Sequence, residues 1–405
     1  MVGDLESWTR LLDVPELVAE ATARHGEDPL RVVSGLRRRW DAGLVACAVE
    51  LAEARRRALA KMSAEVAAGL MADVVGVQMA SSEDIASWKA SRIREAGPGR
   101  VIDLCCGIGG DTRALAALEC ECVAVDLDPV RAWMAGHNAS CAAIVDDATA
   151  WDVDGAIVHV DPSRRDEGTK KRHFDLASCT PGPDDLARFA AQADGCCFKL
   201  APSVEPLFGG ELEIVSQGGR VRQGLVWTGT LRTCERRATT IGSGGVHTFT
   251  GDPLEVGDIA DRVESMLLEP DPALERACLL DAFASARGLS MLATSRLTTV
   301  ASLPPAFEMG GPARGWVTVF EVLDVVPWKR IEEAIASFDG GEVEVKPRVR
   351  RSRGMDPDRL QVTLRGHGST RLTVFIVEDG GVVEGIVARR IRPEEGDGRG
   401  PGTGE

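Results

Sequence analysis

The sequence predicts an α/β fold built on a Rossmann-like parallel sheet, preceded by a helical region and followed by an α+β domain. Three observations predict it. Short apolar runs alternate with amphipathic stretches between residues 100 and 200; a glycine-rich turn follows the first run; and acids stand after three successive runs at Asp103, Asp126 and Asp147. Strands alternating with helices imply right-handed crossovers and so a parallel sheet.

Taken in order, residues 1–68 are rich in Ala, Leu, Glu and Arg without a strand pattern, which predicts helices broken near Gly26, Asp28 and Pro29. Ser81-Ser82-Glu83-Asp84 places an acid three residues after a serine, a helix-start signal, and that helix runs through Ile85, Trp88 and Ile93 to Gly97-Pro98-Gly99. Strands follow at 101–104, 122–126, 142–146, 156–161 and 196–200. Helices are predicted through Leu115 and Leu118, over 129–138 and around 186–193. Segments 211–216 and 224–228, parted by Gly218-Gly219, read as an antiparallel pair that finishes the sheet. Past Asp258, helices at 274–286 and 331–338 mix with strands at 317–323, 342–346 and 372–377. The expected organisation is a helical region 1–68, an α/β domain 69–257, an α+β domain 258–392 and a disordered tail 393–405.

The 405 residues are 44% hydrophobic, enough for real cores, yet no apolar run approaches the roughly 20 residues that span a bilayer. Asp4 and Glu6 without an apolar run argue against a secretory signal. Eleven cysteines with no C-x-x-C spacing point to small, reduced, buried residues of a cytoplasmic protein, with neither a disulfide framework nor a metal site. A net charge of −15 excludes a protein that coats nucleic acid by charge alone. Arginine clusters at 37–39 and 55–57 read as solvated helix faces; those at 164–172 and 346–353 lie beside the motifs below.

The central motif is Asp103-Leu104-Cys105-Cys106-Gly107-Ile108-Gly109-Gly110-Asp111, between a strand and a helix. Glycine lets the chain turn sharply and lets a ligand approach the backbone. Thr112 replaces the third glycine of the dinucleotide fingerprint, and Asp103 and Asp111 flank the turn, which suits no pyrophosphate. Acids suit a nucleoside cofactor bearing an ammonium and a sulfonium, S-adenosylmethionine. Asp103, Cys105, Gly107, Gly109 and Gly110 are its expected cradle, Asp126 (with Asp128 as a second candidate) its ribose acceptor, and Asp147 the acceptor for its adenine amine.

Asp103 to Asp111, Ala124-Val125-Asp126-Leu127-Asp128-Pro129 and Asn138 resemble the class I methyltransferases, especially the trimethylguanosine synthase branch, as does Met79-Ala80-Ser81-Ser82-Glu83-Asp84-Ile85-Ala86. From Gly69 to Arg390 the chain resembles bacterial and archaeal methyltransferases with a THUMP-like C-terminal domain. The likeness rests on residues 160–165, 199–202, 225–229, 269–274 and 344–348. It implies a class I methyltransferase sheet and S-adenosylmethionine-dependent methyl transfer. Methylases of exocyclic amines end their fourth strand with an acid or Asn, two prolines and an aromatic residue; here the tetrad is Asp161-Pro162-Ser163-Arg164. The carboxylate and first proline can still hold an N–H nucleophile, and an arginine plane can stack on a base. Arg165 continues the motif, and Lys199, at the sheet's carboxyl edge, can pair with Asp161 or meet a phosphate. Cys196 and Cys197 lie within a strand and read as packing. THUMP-like domains are associated with RNA modification, and Lys346, Arg348, Arg350, Arg351 and Arg353 can track a phosphate backbone. The expectation is an RNA methyltransferase acting on a base nitrogen. A protein or small-molecule acceptor, and a non-catalytic module binding S-adenosylmethionine and RNA, stay open.

Overall fold

A computed structural model describes residues 2–164, 176–293, 295–308, 311, 313–349, 356–379 and 381–391. Its contacts divide the chain into two compact units, Met1–Val215 with Gln223–Glu235 and Ser216–Arg222 with Arg236–Glu405.

The first unit opens with helices α1 (Leu5–Arg10), α2 (Pro15–Ala23), α3 (Pro29–Leu36), α4 (Ala42–Ala58) and α5 (Ala64–Gly69). The break at Gly26 to Pro29 is where the sequence puts it: the Asp28 carboxylate accepts from the Leu30 and Arg31 amides and Pro29 takes the first helical position. Trp8, Leu17, Leu36, Leu44 and Leu51 are buried in one core that also holds Ile108, Val130 and Met134, so these helices share their interior with the glycine turn. Next come α6 (Val74–Met79) and α7 (Glu83–Glu95). Helix α7 starts where expected, but its cap is Ser82, one residue past the serine that has an acid three positions later, because the Ser81 hydroxyl is turned to Asp111.

The strands of this unit are β1 (Arg100–Leu104), β2 (Glu121–Asp126), β3 (Ala142–Val145), β4 (Ile157–Val160), β5 (Ser163–Arg164), β6 (Cys179–Thr180), β7 (Gly195–Leu200), β8 (Glu211–Gln217) and β9 (Arg220–Trp227). Within this unit the sheet order is β8-β9-β7-β4-β1-β2-β3. Strand β1 pairs parallel with both β2 and β4, and β7 pairs antiparallel with β9. Helices α8 (Thr112–Ala116), α9 (Pro129–Ala139) and α10 (Pro183–Gln192) are the crossovers. The carboxyl ends of β1, β2, β4 and β7 therefore meet at one edge, where such sheets bind ligands. Two details differ from expectation. Helix α8 stops before Leu118, and β5 and β6 form a separate antiparallel ribbon beside that edge.

The second unit holds the hairpin β10 (Arg236–Gly242) and β11 (Gly245–Thr250). Its own sheet is built from β12 (Met266–Pro270), β13 (Ser290–Met291), β14 (Thr298–Val300), β15 (Val317–Pro327), β16 (Gly340–Pro347), β17 (Thr370–Asp379) and β18 (Val382–Arg390). The order is β13-β14-β12-β15-β18-β17-β16, with helices α11 (Pro272–Arg276), α12 (Leu280–Ala286), α13 (Ile331–Ser337) and α14 (Pro357–Thr363). This is the expected α+β arrangement. The single helix expected over 274–286 is two, because the chain turns left-handed at Cys278 (φ 58°). The expected tail, 393–405, lies outside the described residues.

Candidate functional site

The carboxyl ends of β1, β2 and β4 surround a cavity of about 280 Å³. Of the residues expected there, Asp103, Cys105, Gly107, Gly110, Asp126, Asp128, Asp147, Asp161, Ser163 and Lys199 line it. Gly109 does not: a Cβ there would sit 2.8 Å from the Ala135 Cα, so that glycine serves the approach of the turn to α9. Positive φ angles at Cys105, Gly107 and Gly109 (60°, 57° and 81°) make the tight reversal that exposes the backbone.

Asp126 is built to accept. The Gly107 amide donates to its Oδ2 at 2.9 Å and the Asp128 amide to its Oδ1 at 3.0 Å, leaving each oxygen a further lone pair for a ribose hydroxyl. Burial pushes its carboxyl above the ordinary range, against those two backbone donors. Asp128 also caps α9, accepting from the Val130 and Arg131 amides, and Asp147 accepts from the Thr149 amide and hydroxyl.

The two acids flanking the turn behave otherwise. Asp103, 1% exposed, accepts from the Thr112 hydroxyl at 2.5 Å and bonds His159 Nδ1 at 2.7 Å. The threonine that replaces the fingerprint's third glycine thus anchors the first acid. Asp111 is paired with Lys89 at 2.6 Å and accepts from the Ser81 hydroxyl at 2.9 Å. Burial would raise the Asp111 carboxyl, but Lys89, His159 and Lys199 outweigh it and hold it below the usual range. Both carboxylates line the cavity and are at the same time paired inside the protein.

Lys199 donates to Asp161 at 2.5 Å and lies 4.0 Å from Asp111. Burial would lower its ammonium; Asp161 and Asp111 outweigh that and raise it. Of the two partners expected for Lys199, the structure supplies Asp161. The result is a connected series, Asp161–Lys199–Asp111–Lys89–His159–Asp103, that starts at the half-buried Asp161 and Lys199 and runs into the buried interior. With Lys89 donating to His159 Nε2 at 3.2 Å, the imidazole proton belongs on Nδ1, toward Asp103.

Sequence reasoning missed Lys89, His159 and Arg131. Lys89 carried a signal: helical spacing puts it on the same buried face of α7 as Ile85 and Ile93. His159 lies on β4, two residues before Asp161, which stands just past the end of that strand. Arg131 lines the cavity from α9 and pairs with Asp73 at 3.0 Å.

The remaining expected residues are elsewhere. Pro162 does not line the cavity, and for Arg164 the structure describes only the backbone, in β5. Arg165 and Arg350 lie outside the described residues. Lys346 and Arg348 belong to the second unit, where both pair with Glu269. Cys196 and Cys197 are buried in β7, and burial pushes the Cys196 thiol up to about 12, which keeps it unreactive. No group of described residues has metal-binding geometry, and no described helix is long and apolar enough to cross a membrane.

No family model matches the chain. Over 368 residues it is 30% identical to each of two uncharacterised S-adenosylmethionine-dependent methyltransferases of Mycobacterium tuberculosis, from strains CDC 1551 / Oshkosh and ATCC 25618 / H37Rv. The match covers 85% of this chain and 96% of each relative. The chain belongs to the S-adenosylmethionine-dependent methyltransferases. A crystal structure from Porphyromonas gingivalis W83, assigned there to a methyltransferase, matches with a TM-score of 0.68 at 18% identity, over 93% of this chain and 99% of that one. At that identity the likeness speaks for the fold alone. The methyltransferase's cavity fits the cofactor: Asp126 keeps acceptor capacity for a ribose, the turn exposes backbone groups, and pocket acids match a cationic ligand. When bound, the cofactor supplies an activated methyl group, and the protein's task is alignment and exclusion of water.

Proposed function

We propose that this methyltransferase acts on a nitrogen of an RNA base, with Asp161 holding the acceptor's N–H. The observation that carries the reading is the placement of Asp161: its side chain is 31% exposed at the cavity, beyond the end of β4, and Lys199 fixes it. An ionised carboxylate that accepts an N–H leaves the nitrogen lone pair free to point along the transfer axis. Asp161 can then take the proton that the methylated nitrogen must shed. Lys199 donates to Asp161 Oδ2, which leaves Oδ1 for the acceptor's N–H. The RNA half of the reading rests on the resemblance to methyltransferases with THUMP-like domains and on the arginines at 350, 351 and 353.

One observation favours a second reading, a protein or small-molecule acceptor. Lys346 and Arg348 spend their charge on Glu269, which leaves a chain of net charge −15 with fewer cations to offer phosphates. Labelled cofactor incubated with total RNA, and separately with protein and metabolite fractions, decides between them. Label in nucleosides after nuclease digestion supports the first reading; label only in the other fractions replaces it with the second.

A further inference from the structure

The cofactor cavity has a wall that its strands do not supply. Gly76, Met79 and Ala80, from α6 and the turn after it, line the cavity opposite the glycine turn. The approach is close. A Cβ on Gly76 would meet the Ile108 Cγ2 at 2.3 Å, and one on Gly110 would meet the Ala80 Cβ at 2.9 Å.

The carbonyls that end a helix lack intrahelical donors and need partners from outside. Here they receive two ammonium groups. Lys61 Nζ donates to the carbonyls of Val77 (2.9 Å), Gln78 (2.7 Å) and Ala80 (3.0 Å). Lys199 Nζ donates to the carbonyl between them, Met79, at 3.1 Å, while also holding Asp161. Four successive carbonyls are thus gripped by one lysine from the N-terminal helices and one from β7. The backbone around Lys61 is itself tied down: its carbonyl accepts from the Glu83 amide, and Glu83 accepts from the Ser63 amide and pairs with Arg113 of α8.

We propose that Lys61, which does not touch the cavity, is a positioning residue for S-adenosylmethionine, and that residues 77–80 are a strap joining the N-terminal helices to the cofactor pocket and, through Lys199, to Asp161. A half-buried ammonium holding three carbonyls is a stiff fastening, because its three donors are matched to three acceptors that the end of the helix leaves open. The strap gives the N-terminal helices a task in cofactor retention beyond their share of the core.

The test uses the full chain with S-adenosylmethionine and S-adenosylhomocysteine as probes. Lys61→Met should bind both about tenfold more weakly, the equivalent of one charged hydrogen bond, chiefly through faster release. Lys61→Arg should recover most of that loss. Hydrogen exchange on the wild type supplies a readout that needs no variant: cofactor should slow the amides of 77–83 well beyond those of α2, which lies away from the cavity. Folded Lys61→Met with wild-type affinity and release rate overturns the proposal. So does cofactor that leaves exchange over 77–83 unchanged, whether or not the variant folds.

Discussion

At the scale of single residues, Asp126 and Asp111 show how one pocket treats two acids differently. Asp126 is half-buried, and burial pushes its carboxyl up against its two backbone donors and the Arg131 charge; Asp111 is buried among cations, and its carboxyl is pulled down. A raised carboxyl favours folding fully below the unfolded pKa and loses that contribution as pH rises through the folded value. Ionised Asp126 is therefore a cost to the cofactor-free fold at neutral pH. Asp126→Asn should leave the cofactor-free protein as stable or more stable at pH 7.5, an advantage that fades as pH falls through the carboxylate range. The same change should weaken S-adenosylmethionine binding by about 1–3 kcal/mol. Melting curves across pH together with calorimetry check both halves; a variant that melts lower at pH 7.5 contradicts the first. For Asp111 the sign reverses: its stabilisation is present above the unfolded pKa and lost as pH falls through the lowered value. Lys89→Met strands that charge, at a cost of about 3–5 kcal/mol, and denaturant titration should show it. Double replacement, Lys89→Met with Asp111→Leu, should recover much of the loss. Asp126 and Asp161 were expected at the ends of their strands from the sequence pattern alone, and both line the cavity. The pairing of Asp111 was not, since its partners Lys89 and Lys199 come from distant elements.

At the scale of elements, the sequence shows most clearly what is periodic and bounded. The five parallel strands and the turn between β1 and α8 stand within a residue or two of their expected places, because apolar runs ended by acids or glycines have few other readings. Elements without that contrast escaped: β10 and β11 are Thr- and Gly-rich, β12 is short and ends in proline, and β18 follows Gly380-Gly381. Gly229, just past β9, shows a glycine with a defined task. It sits at φ 58°, and a Cβ there would lie 2.2 Å from the Asp194 carbonyl oxygen and 2.8 Å from the Gly195 Cα, both backbone atoms at the start of β7. No flexible side chain can yield. Gly229→Ala should therefore cost about 2 kcal/mol or more, read as a lower denaturation midpoint. Cofactor affinity of the folded fraction should be unchanged, since the site is at the opposite end of β7. An unchanged midpoint would mean that this turn relaxes freely.

At the scale of the whole molecule, charge decides how the acceptor question is best put. The five cations at 346–353 looked alike in the sequence; for two of them the structure gives a partner, since Lys346 and Arg348 meet Glu269, in a site where Lys346 also lies 5.7 Å from the Phe320 ring centre. Spacing along a chain cannot show which cation turns inward, because that depends on a partner 77 residues away. The two groups should therefore respond differently to replacement. Lys346→Ser with Arg348→Ser leaves Glu269, 16% exposed, without its counter-ions, and should lower stability by about 3–5 kcal/mol. Arg350→Ser, Arg351→Ser and Arg353→Ser together should leave the melting temperature nearly unchanged. If RNA is the acceptor, the same triple variant should weaken binding to every sequence alike and flatten the salt dependence, since each phosphate contact removed lowers the slope of log K against log salt by about 0.7–0.9. Filter binding at several salt concentrations with melting curves on both variants checks the pair of outcomes. A triple variant with wild-type affinity and slope would remove these arginines from the acceptor site and, in a chain of net charge −15, leave the protein or small-molecule acceptor as the stronger reading.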